Sequence, residues 1–131
     1  MALSAYPKPG QLLICDFSDF VPPEMTKRRP VVVVSRRSRK SLTCTVVPLS
    51  SSPPEESQPY HHLMDSASLV GKFSGVETWA KCDMVTTVSI NRLDRIRTGR
   101  DHQGKRIYST AHITGEDFLA IKEGMRYWLN L

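Results

Sequence analysis

Arginine and hydroxyl side chains flank two apolar segments of the chain. Arg29 directly precedes Pro30 and four consecutive valines, and Ser50 follows the apolar run Val46-Val47-Pro48-Leu49. A guanidinium matches two phosphate oxygens with paired hydrogen bonds, and a hydroxyl supplies a further donor. Because the ends of buried strands hold side chains rigidly, this arrangement predicts a site that handles phosphate.

Basic residues cluster in two parts of the sequence. Of the 18 Lys and Arg residues, seven lie within residues 26–40, which contain no acid, and six lie within residues 91–106. The net charge is +5. If the two segments meet in the fold, they form one basic face suited to a polyanion such as a nucleic acid. The alternative is two solvated turns whose cations serve solubility.

Strands must position these groups, because β signals dominate the chain up to residue 113. Apolar and β-branched runs predict strands at residues 11–17, 30–35, 42–49, 60–64, 78–88 (interrupted near Asp83) and 107–113, with a short one near residue 97. Residues 18–29 and 50–59 are expected to be loops, residues 36–41 and 66–75 turns, and residues 101–104 a hairpin tip.

The end of the chain changes to a helical period. Phe118, Ile121, Met125 and Trp128 recur at spacings that place them on one helix face, and Thr114 suits the N-cap. The expected fold is therefore mainly β with α: a small, strongly bent β-barrel closed by a C-terminal helix. Residues 1–131 are expected to form a single domain.

Composition and sequence patterns argue against a membrane protein, a secreted protein and a metal-binding protein. No apolar run approaches the length of a membrane span, and the N-terminus lacks the pattern of a signal peptide, so we expect a cytoplasmic protein with no membrane partner. Cys15, Cys44 and Cys82 are scattered without a CxxC spacing, and His61-His62 is an isolated pair. Buried reduced thiols are therefore expected, and neither a metal site nor a cofactor is predicted.

Three sequence elements carry a resemblance to a known family. KRRPVVVVS, VVPLSSS and WAKCDMVTTVSINRLDRI resemble the MazF/PemK toxins of bacterial type II toxin–antitoxin modules, in the same order from Pro9-Gly10 to about Ile96. The resemblance implies an SH3-like barrel that forms a homodimer. It also implies metal-independent, sequence-specific cleavage of single-stranded RNA, and neutralisation by a cognate antitoxin with an acidic, disordered tail.

RNA is most easily cut without a metal when its own 2′-hydroxyl attacks the adjacent phosphate and leaves a 2′,3′-cyclic phosphate. Such a reaction needs a base, an acid and donors for the phosphorane charge. The resemblance assigns the charge to Arg29 and a phosphate hydrogen bond to Ser50, where relatives usually carry threonine. Glu24 and Asp83 are both candidates for the base, and the sequence leaves the choice open.

Further residues are expected to contact RNA. They comprise cations, a hydroxyl and one aromatic ring for base stacking: Lys27, Arg28, Arg36, Arg37, Ser51, Lys81 and Phe20. Lys81 stands where relatives carry arginine, which is a better bidentate donor. None of His61, His62, His102 and His112 matches a site of the family, although any of them could carry a proton.

The sequence is also compatible with two other classes of function. A same-fold toxin could poison a protein target such as gyrase without catalysis, and a nucleic-acid-binding barrel could lack toxicity altogether. The gyrase-directed relatives lack an arginine, hydroxyl and acid in this arrangement. A non-toxic binder would need the basic face without an acid paired to the arginine.

Overall fold

Nine strands and one helix form the part of the chain that the structure, a computed structural model, describes: residue 3, residues 5–109 and residues 111–131. The strands are β1 (Leu12–Asp16), β2 (Arg28–Val33), β3 (Thr43–Ser50), β4 (His61–Leu63), β5 (Trp79–Lys81), β6 (Thr86–Ser89), β7 (Leu93–Asp94), β8 (Arg97–Arg100) and β9 (Arg106–Tyr108). The helix α1 spans Gly115–Leu129, and single 3-10 turns lie at Ser66–Ser68, Gly71–Phe73, Cys82–Met84 and Ile90–Arg92.

Seven strands form one antiparallel sheet. Six of them are neighbours in the order β4-β5-β3-β2-β1-β7, and the seventh, β6, pairs with β3. The strands β8 and β9 form a separate hairpin. The expected class, mainly β with a C-terminal helix, is confirmed, but the described strands form a sheet that is not closed into a barrel, because β4 and β7 remain at the two ends of the path.

Alternation along the strands divides the core into two clusters. Val32 and Val47 belong to a cluster that packs against the helix residue Ile121, called here the helix-side core. Val31, Val33 and their neighbours form the loop-side core on the opposite face. Because successive strand residues point to opposite faces, the valine run supplies both clusters.

The helix begins as the sequence predicts. The Thr114 side chain accepts a hydrogen bond from the Asp117 backbone N–H, and Ile121 is fully buried. Gly124 packs closely on the turn that follows β5, since a Cβ at this position would lie 2.7 Å from the Cys82 Sγ. The helix therefore backs the segment that carries Asp83.

A buried carboxylate fixes the start of the helix to β4. Asp117 accepts hydrogen bonds from His62 Nε2 at 2.7 Å, from the Asp65 backbone N–H at 2.9 Å and from the Ser68 hydroxyl. Burial raises the pKa of Asp117, but the hydrogen bonds from Ser68, His62 and Asp65 outweigh it and hold the pKa below its ordinary value.

Several boundaries differ from those expected. Arg29 lies inside β2, whose ladder with β1 begins at Arg28, so it does not precede the strand as expected. The expected strand at residues 107–113 ends at Tyr108, and its residue 110 lies outside the described residues. Ala111 instead runs beside β1, accepting a hydrogen bond from the Leu12 N–H at 3.2 Å. The hairpin tip at residues 101–104 and the break near Asp83 are confirmed.

The three cysteines are free and buried, as expected. Burial raises the pKa of Cys15 and of Cys82 to about 12, and it also raises the pKa of Cys44. No helix in the described part of the chain combines the length and apolar character that crossing a membrane requires.

Candidate active site

Arg29 and Ser50 share one face of the sheet. Val31 of β2 lies opposite Pro48 of β3 in the last pair of their ladder, and Arg29 and Ser50 each lie two residues beyond that pair, on the same face as its members. Ser50 in turn lies opposite Trp79 of β5. Since residues directly opposite each other point to the same side, this face carries a guanidinium, a hydroxyl and an indole in a row. Because two of the residues predicted to be catalytic lie on it, we call it the catalytic face.

Both polar groups on the catalytic face keep free hydrogen-bonding capacity. Arg29 is half-buried, and its Nε donates to the Thr26 carbonyl oxygen at 3.2 Å. Arg29 forms no ion pair with any described residue. The Ser50 Oγ accepts a hydrogen bond from the Ser52 N–H at 3.1 Å, so its own O–H can donate elsewhere. Arg29 is thus half-buried and Ser50 is buried, and each has hydrogen-bond donors without a partner among the described residues.

Asp83 lies in a gap along the edge of β3. The strand β6 pairs with β3 from Thr43 to Val46, and β5 pairs with the same strand at Leu49 and Ser50. The turn Cys82–Met84 connects β5 to β6 across this gap. Asp83 is half-buried there, and its Oδ1 is shielded from solvent without a hydrogen-bond partner among the described residues. A shielded carboxylate oxygen without a donor is costly to maintain, because no hydrogen bond replaces those it would make with water.

Glu24 faces Asp83 across a cavity of about 430 Å³, here called the loop cavity. Aromatic and aliphatic side chains of the loop between β1 and β2 line one side, and residues 83–86 line the other. The Glu24 side chain is exposed, and its Oε1 accepts a hydrogen bond from the Val21 N–H at 2.9 Å. Both candidate bases therefore border one cavity, but Glu24 is engaged by its own loop.

Ion pairing and aromatic packing order this loop. Arg92 donates to both carboxylate oxygens of Asp19, at 2.6 and 3.0 Å, and to the Asp16 carbonyl oxygen at 2.9 Å. The Arg92 guanidinium also lies 5.0 Å from the centre of the Phe20 ring, and Phe17 packs edge-on against that ring at 5.1 Å. Phe20 lines the loop cavity as the sequence suggested, but with part of its ring already covered.

His61 belongs to this site although no sequence motif indicated it. It lies opposite Lys81 in the pairing of β4 with β5. Its Nδ1 accepts a hydrogen bond from the Gln58 N–H at 3.1 Å, so the neutral ring carries its proton on Nε2. Burial and the Lys81 ammonium lower the pKa of His61, and the Asp83 carboxylate partly offsets them. The pairing of a three-residue strand brings these groups together, and spacing along the chain gives no sign of it.

The remaining predicted RNA contacts divide among three places. Lys81 lies two residues after Trp79 on β5 and therefore on the catalytic face, and the exposed Ser51 follows Ser50. Lys27 is exposed, with a left-handed backbone (φ of 67°) and a carbonyl that accepts the Phe17 N–H at 2.7 Å. Arg28 points to the face of β2 opposite Arg29 and lines a separate cleft.

Arg36 and Arg37 are exposed beyond the far end of β2. Arg36 follows Arg29 by seven residues, and seven residues of extended strand span roughly 20 Å. Arg37 lines a cavity with Arg39 and Leu42, away from the catalytic face. The basic residues of positions 26–40 therefore do not form one continuous surface with Arg29.

No group of three or more His, Cys, Asp or Glu side chains among the described residues is arranged to hold a metal ion.

The sequence model of the PemK-like, MazF-like toxins of type II toxin–antitoxin systems matches residues 8–123. This chain belongs to that family. The protein YifN of Escherichia coli (strain K12) is 34% identical over an alignment of 122 residues, which covers 78% of this chain and 81% of YifN. The family match includes Arg29, Ser50, Glu24 and Asp83.

Solved structures share the fold of this MazF-like chain. MazF from Deinococcus radiodurans superposes with a TM-score of 0.67 at 16% identity, covering 96% of this chain and 98% of that one. An endoribonuclease from a mycobacterial species, solved in complex with its cognate antitoxin, superposes with a TM-score of 0.64 at 19% identity, covering 95% and 96% of the two chains. The open, bent sheet with a C-terminal helix is thus a MazF-like fold.

Proposed function

We propose that this chain is a toxin that cleaves single-stranded RNA by attack of the 2′-hydroxyl on the adjacent phosphate, without a metal. One observation carries the proposal. Arg29 and Ser50 lie on one face of the sheet, each two residues beyond the pair Val31 and Pro48, and the gap that holds the Asp83 carboxylate lies along the same strand as Ser50. A polyanion with a reacting phosphate needs donors and an acceptor in this combination.

The donors act on the phosphate. Arg29 is held at Nε by the Thr26 carbonyl, which leaves its two terminal nitrogens to bind the phosphate oxygens that gain charge in the phosphorane. The Ser50 hydroxyl donates to one of the same oxygens. Neither side chain has to break an ion pair with a described residue before RNA binds. Preorganised donors of this kind stabilise the transition state more than the ground state.

Asp83 is the better supported base. Its Oδ1 is shielded from solvent without a described partner, whereas the Glu24 carboxylate accepts its own loop's N–H and is exposed. In the proposed step Asp83 takes the 2′-hydroxyl proton, the 2′ oxygen bonds to phosphorus, and the bond from phosphorus to the 5′ oxygen breaks. The Lys81 ammonium, on the same face as Ser50, is a proton donor for the leaving oxygen. The products are a 2′,3′-cyclic phosphate and a 5′-hydroxyl end.

His61 adds a hydrogen-bond donor to this site. Its neutral tautomer presents Nε2–H, because Nδ1 is occupied by the Gln58 N–H. In that tautomer Nε2 cannot accept a proton, so we assign His61 to binding a phosphate or base oxygen and not to the role of base.

The partners follow from the family and its structural relatives. We propose that a cognate antitoxin with an acidic, disordered tail neutralises this chain by covering Arg29 and competing with RNA for the catalytic face. Charge attraction would speed the encounter, so binding should weaken as salt rises. An antitoxin that binds tightly while RNA cleavage continues would contradict this competition.

The test is cleavage of a long single-stranded RNA in the presence of EDTA. We expect discrete fragments that polynucleotide kinase labels directly at their 5′-hydroxyl ends. Arg29→Ala should lower the rate about 10²–10³-fold, as loss of one oxyanion-type donor does. Arg126→Ala is the matched control, since it removes an exposed arginine from α1, outside the site.

Three negative results of this test would each reject a different part of the proposal. Cleavage that stops with EDTA would contradict the metal-independent step. An unchanged rate in Arg29→Ala would remove Arg29 from the mechanism. Intact RNA from a folded wild-type protein would contradict the ribonuclease function and favour a same-fold toxin directed at a protein.

A further inference from the structure

A basic surface lies on the other side of the sheet from the catalytic face, within reach of it around the start of β2. The cleft between the β8–β9 hairpin, the turn Gly71–Phe73 and the start of β2 has a volume of about 580 Å³ and is called here the basic cleft. Five cations line it: Arg28, Lys72, Arg95, Arg97 and Arg106. Residues from both basic segments of the sequence therefore meet here.

The charge of the basic cleft is not neutralised within the chain. One acid, Asp94, lines it against the five cations, and the Asp94 carboxylate accepts the Arg95 backbone N–H at 2.7 Å. None of the five forms an ion pair with a described residue. Like charges gathered around one concave surface raise its positive potential, and a bound polyanion relieves that repulsion.

The walls of the basic cleft are fixed by packing. Gly71 has a φ of +60°, and a Cβ at this position would lie 2.8 Å from the Arg97 carbonyl oxygen. The turn can therefore approach β8 only with glycine here. On the other side the Arg95 guanidinium lies 4.4 Å from the centre of the Tyr108 ring, which orients that cation. The cleft is thus a shaped surface with at least one oriented guanidinium.

The lining favours a nucleic-acid backbone over an acidic peptide. The aliphatic residues of the cleft, Ile14 and Ile96, are 7% and 3% exposed and belong to the helix-side core, so they offer no apolar anchor. Its two aromatic rings, Phe73 and Tyr108, each have a cation against the ring face, 5.4 and 4.4 Å from the ring centre. Peptides held in grooves rely on such anchors, whereas phosphates need only charge and hydrogen-bond donors.

The basic cleft also continues from the catalytic face. Arg28 and Arg29 are adjacent on β2 but point to opposite faces of the sheet. A strand whose reacting phosphate lies on Arg29 can pass over the end of β2 and reach Arg28 within a short stretch of backbone. We propose that the basic cleft binds the phosphates that flank the cleavage site in single-stranded RNA, an inference that rests on the proposed ribonuclease function.

The test removes two exposed cations of the cleft that take no part in the catalytic face. Binding of a labelled random-sequence 2′-O-methyl RNA of about 20 nucleotides, which lacks the attacking hydroxyl, is measured between about 50 and 200 mM salt. Arg97→Ala/Arg106→Ala is compared with Lys122→Ala/Arg126→Ala, which removes two cations from α1. Cleavage of a long RNA is measured in parallel, and thermal unfolding confirms that each variant folds.

We expect Arg97→Ala/Arg106→Ala to bind about tenfold more weakly near 0.1 M salt, with a salt slope smaller by about 1.4, the value for two phosphate contacts on a single strand. The loss in kcat/KM for cleavage should appear in KM. The α1 variant should keep the wild-type affinity and slope.

Three results would overturn the proposal. Equal RNA binding by the cleft variant and the wild type, with cleavage intact, would reject the cleft and leave the ribonuclease function standing. A folded wild-type protein that neither binds nor cleaves RNA would reject the proposed function and with it this role for the cleft. If the cleft variant lost binding of poly-glutamate but kept RNA binding, the occupant would be an acidic peptide.

Discussion

The assignment of the base to Asp83 is tested by comparing Asp83→Ala with Glu24→Gln. Loss of a general base typically lowers a rate about 10²–10⁴-fold, which corresponds to about 2.7–5.4 kcal/mol of transition-state stabilisation. We expect a loss in that range for Asp83→Ala. For Glu24→Gln we expect no more than about tenfold, because the Glu24 carboxylate is exposed and bonded to the Val21 N–H.

The stability of Asp83→Ala should not fall with its activity. The Asp83 Oδ1 is shielded without a described hydrogen-bond partner, and such an acceptor costs about 1–3 kcal/mol. Removing it offsets the loss of side-chain packing in a half-buried turn. Asp83→Ala should therefore leave the free energy of unfolding within about 1 kcal/mol of wild type, or raise it. A carboxylate with a structural role would instead destabilise the chain when removed.

The two quantities are measured on the same preparations. Single-turnover cleavage of an end-labelled RNA gives the rate of the chemical step, and urea unfolding followed by tryptophan fluorescence gives stability. Suppose that Glu24→Gln lowers the cleavage rate as much as is expected for Asp83→Ala, while Asp83→Ala cleaves RNA at a near-normal rate. The base would then be Glu24. Marked destabilisation of Asp83→Ala would show that its carboxylate has partners in solution and would remove the argument for an available acceptor.

Three further predictions concern the scaffold and the assembly. Because the pKa of Asp117 is lowered in the folded chain, its contribution to stability is present above the unfolded pKa of about 3.9 and is lost as pH falls through the folded value. Urea unfolding should show that loss below about pH 4, and Asp117→Asn should flatten it. Gly124→Ala should lower the free energy of unfolding by about 1–3 kcal/mol, because its methyl group would meet the Cys82 Sγ at 2.7 Å; an unchanged midpoint in urea would show that the helix shifts freely. Light scattering should find a homodimer at micromolar concentration, since Trp128 packs on Tyr60 yet stays 46% exposed, and a monomer would contradict this.

Local signals predicted the elements well where one residue pattern decides the structure. The spacing of Phe118, Ile121 and Met125, with Thr114 as cap, is sufficient for α1, because helix periodicity and capping depend on neighbours within a turn. The valine run gave β2 for a similar reason, since β-branched residues suit a buried strand. Its start at Arg28, ahead of Pro30, depends on the register with β1, and the sequence of β2 contains no sign of that register.

The site residues predicted from the sequence are those that belong to recognisable motifs. Arg29, Ser50, Glu24 and Asp83 came from a family pattern, and whether they act as assigned is a matter for the experiments above. His61 joins Lys81 and Asp83 through the pairing of β4 with β5, and the basic cleft forms where a hairpin folds back on the turn at Gly71. Both depend on contacts between residues far apart in sequence. Patterns along the chain do not specify such contacts.

The interruption between β5 and β6 links the fold to the proposed chemistry. Had residues 79–89 formed one continuous strand along β3, the segment around Asp83 would lie in the ladder, with its backbone groups bonded to β3. The turn Cys82–Met84 instead leaves the ladder between the pairs at Val46 and Leu49, and α1 supports it from behind through Gly124. Asp83 thereby borders the loop cavity beside the strand that ends at Ser50. In the proposed mechanism this break in the ladder is what brings a carboxylate to the strand that carries Ser50, and the function would account for an unpaired buried oxygen that the fold itself does not need.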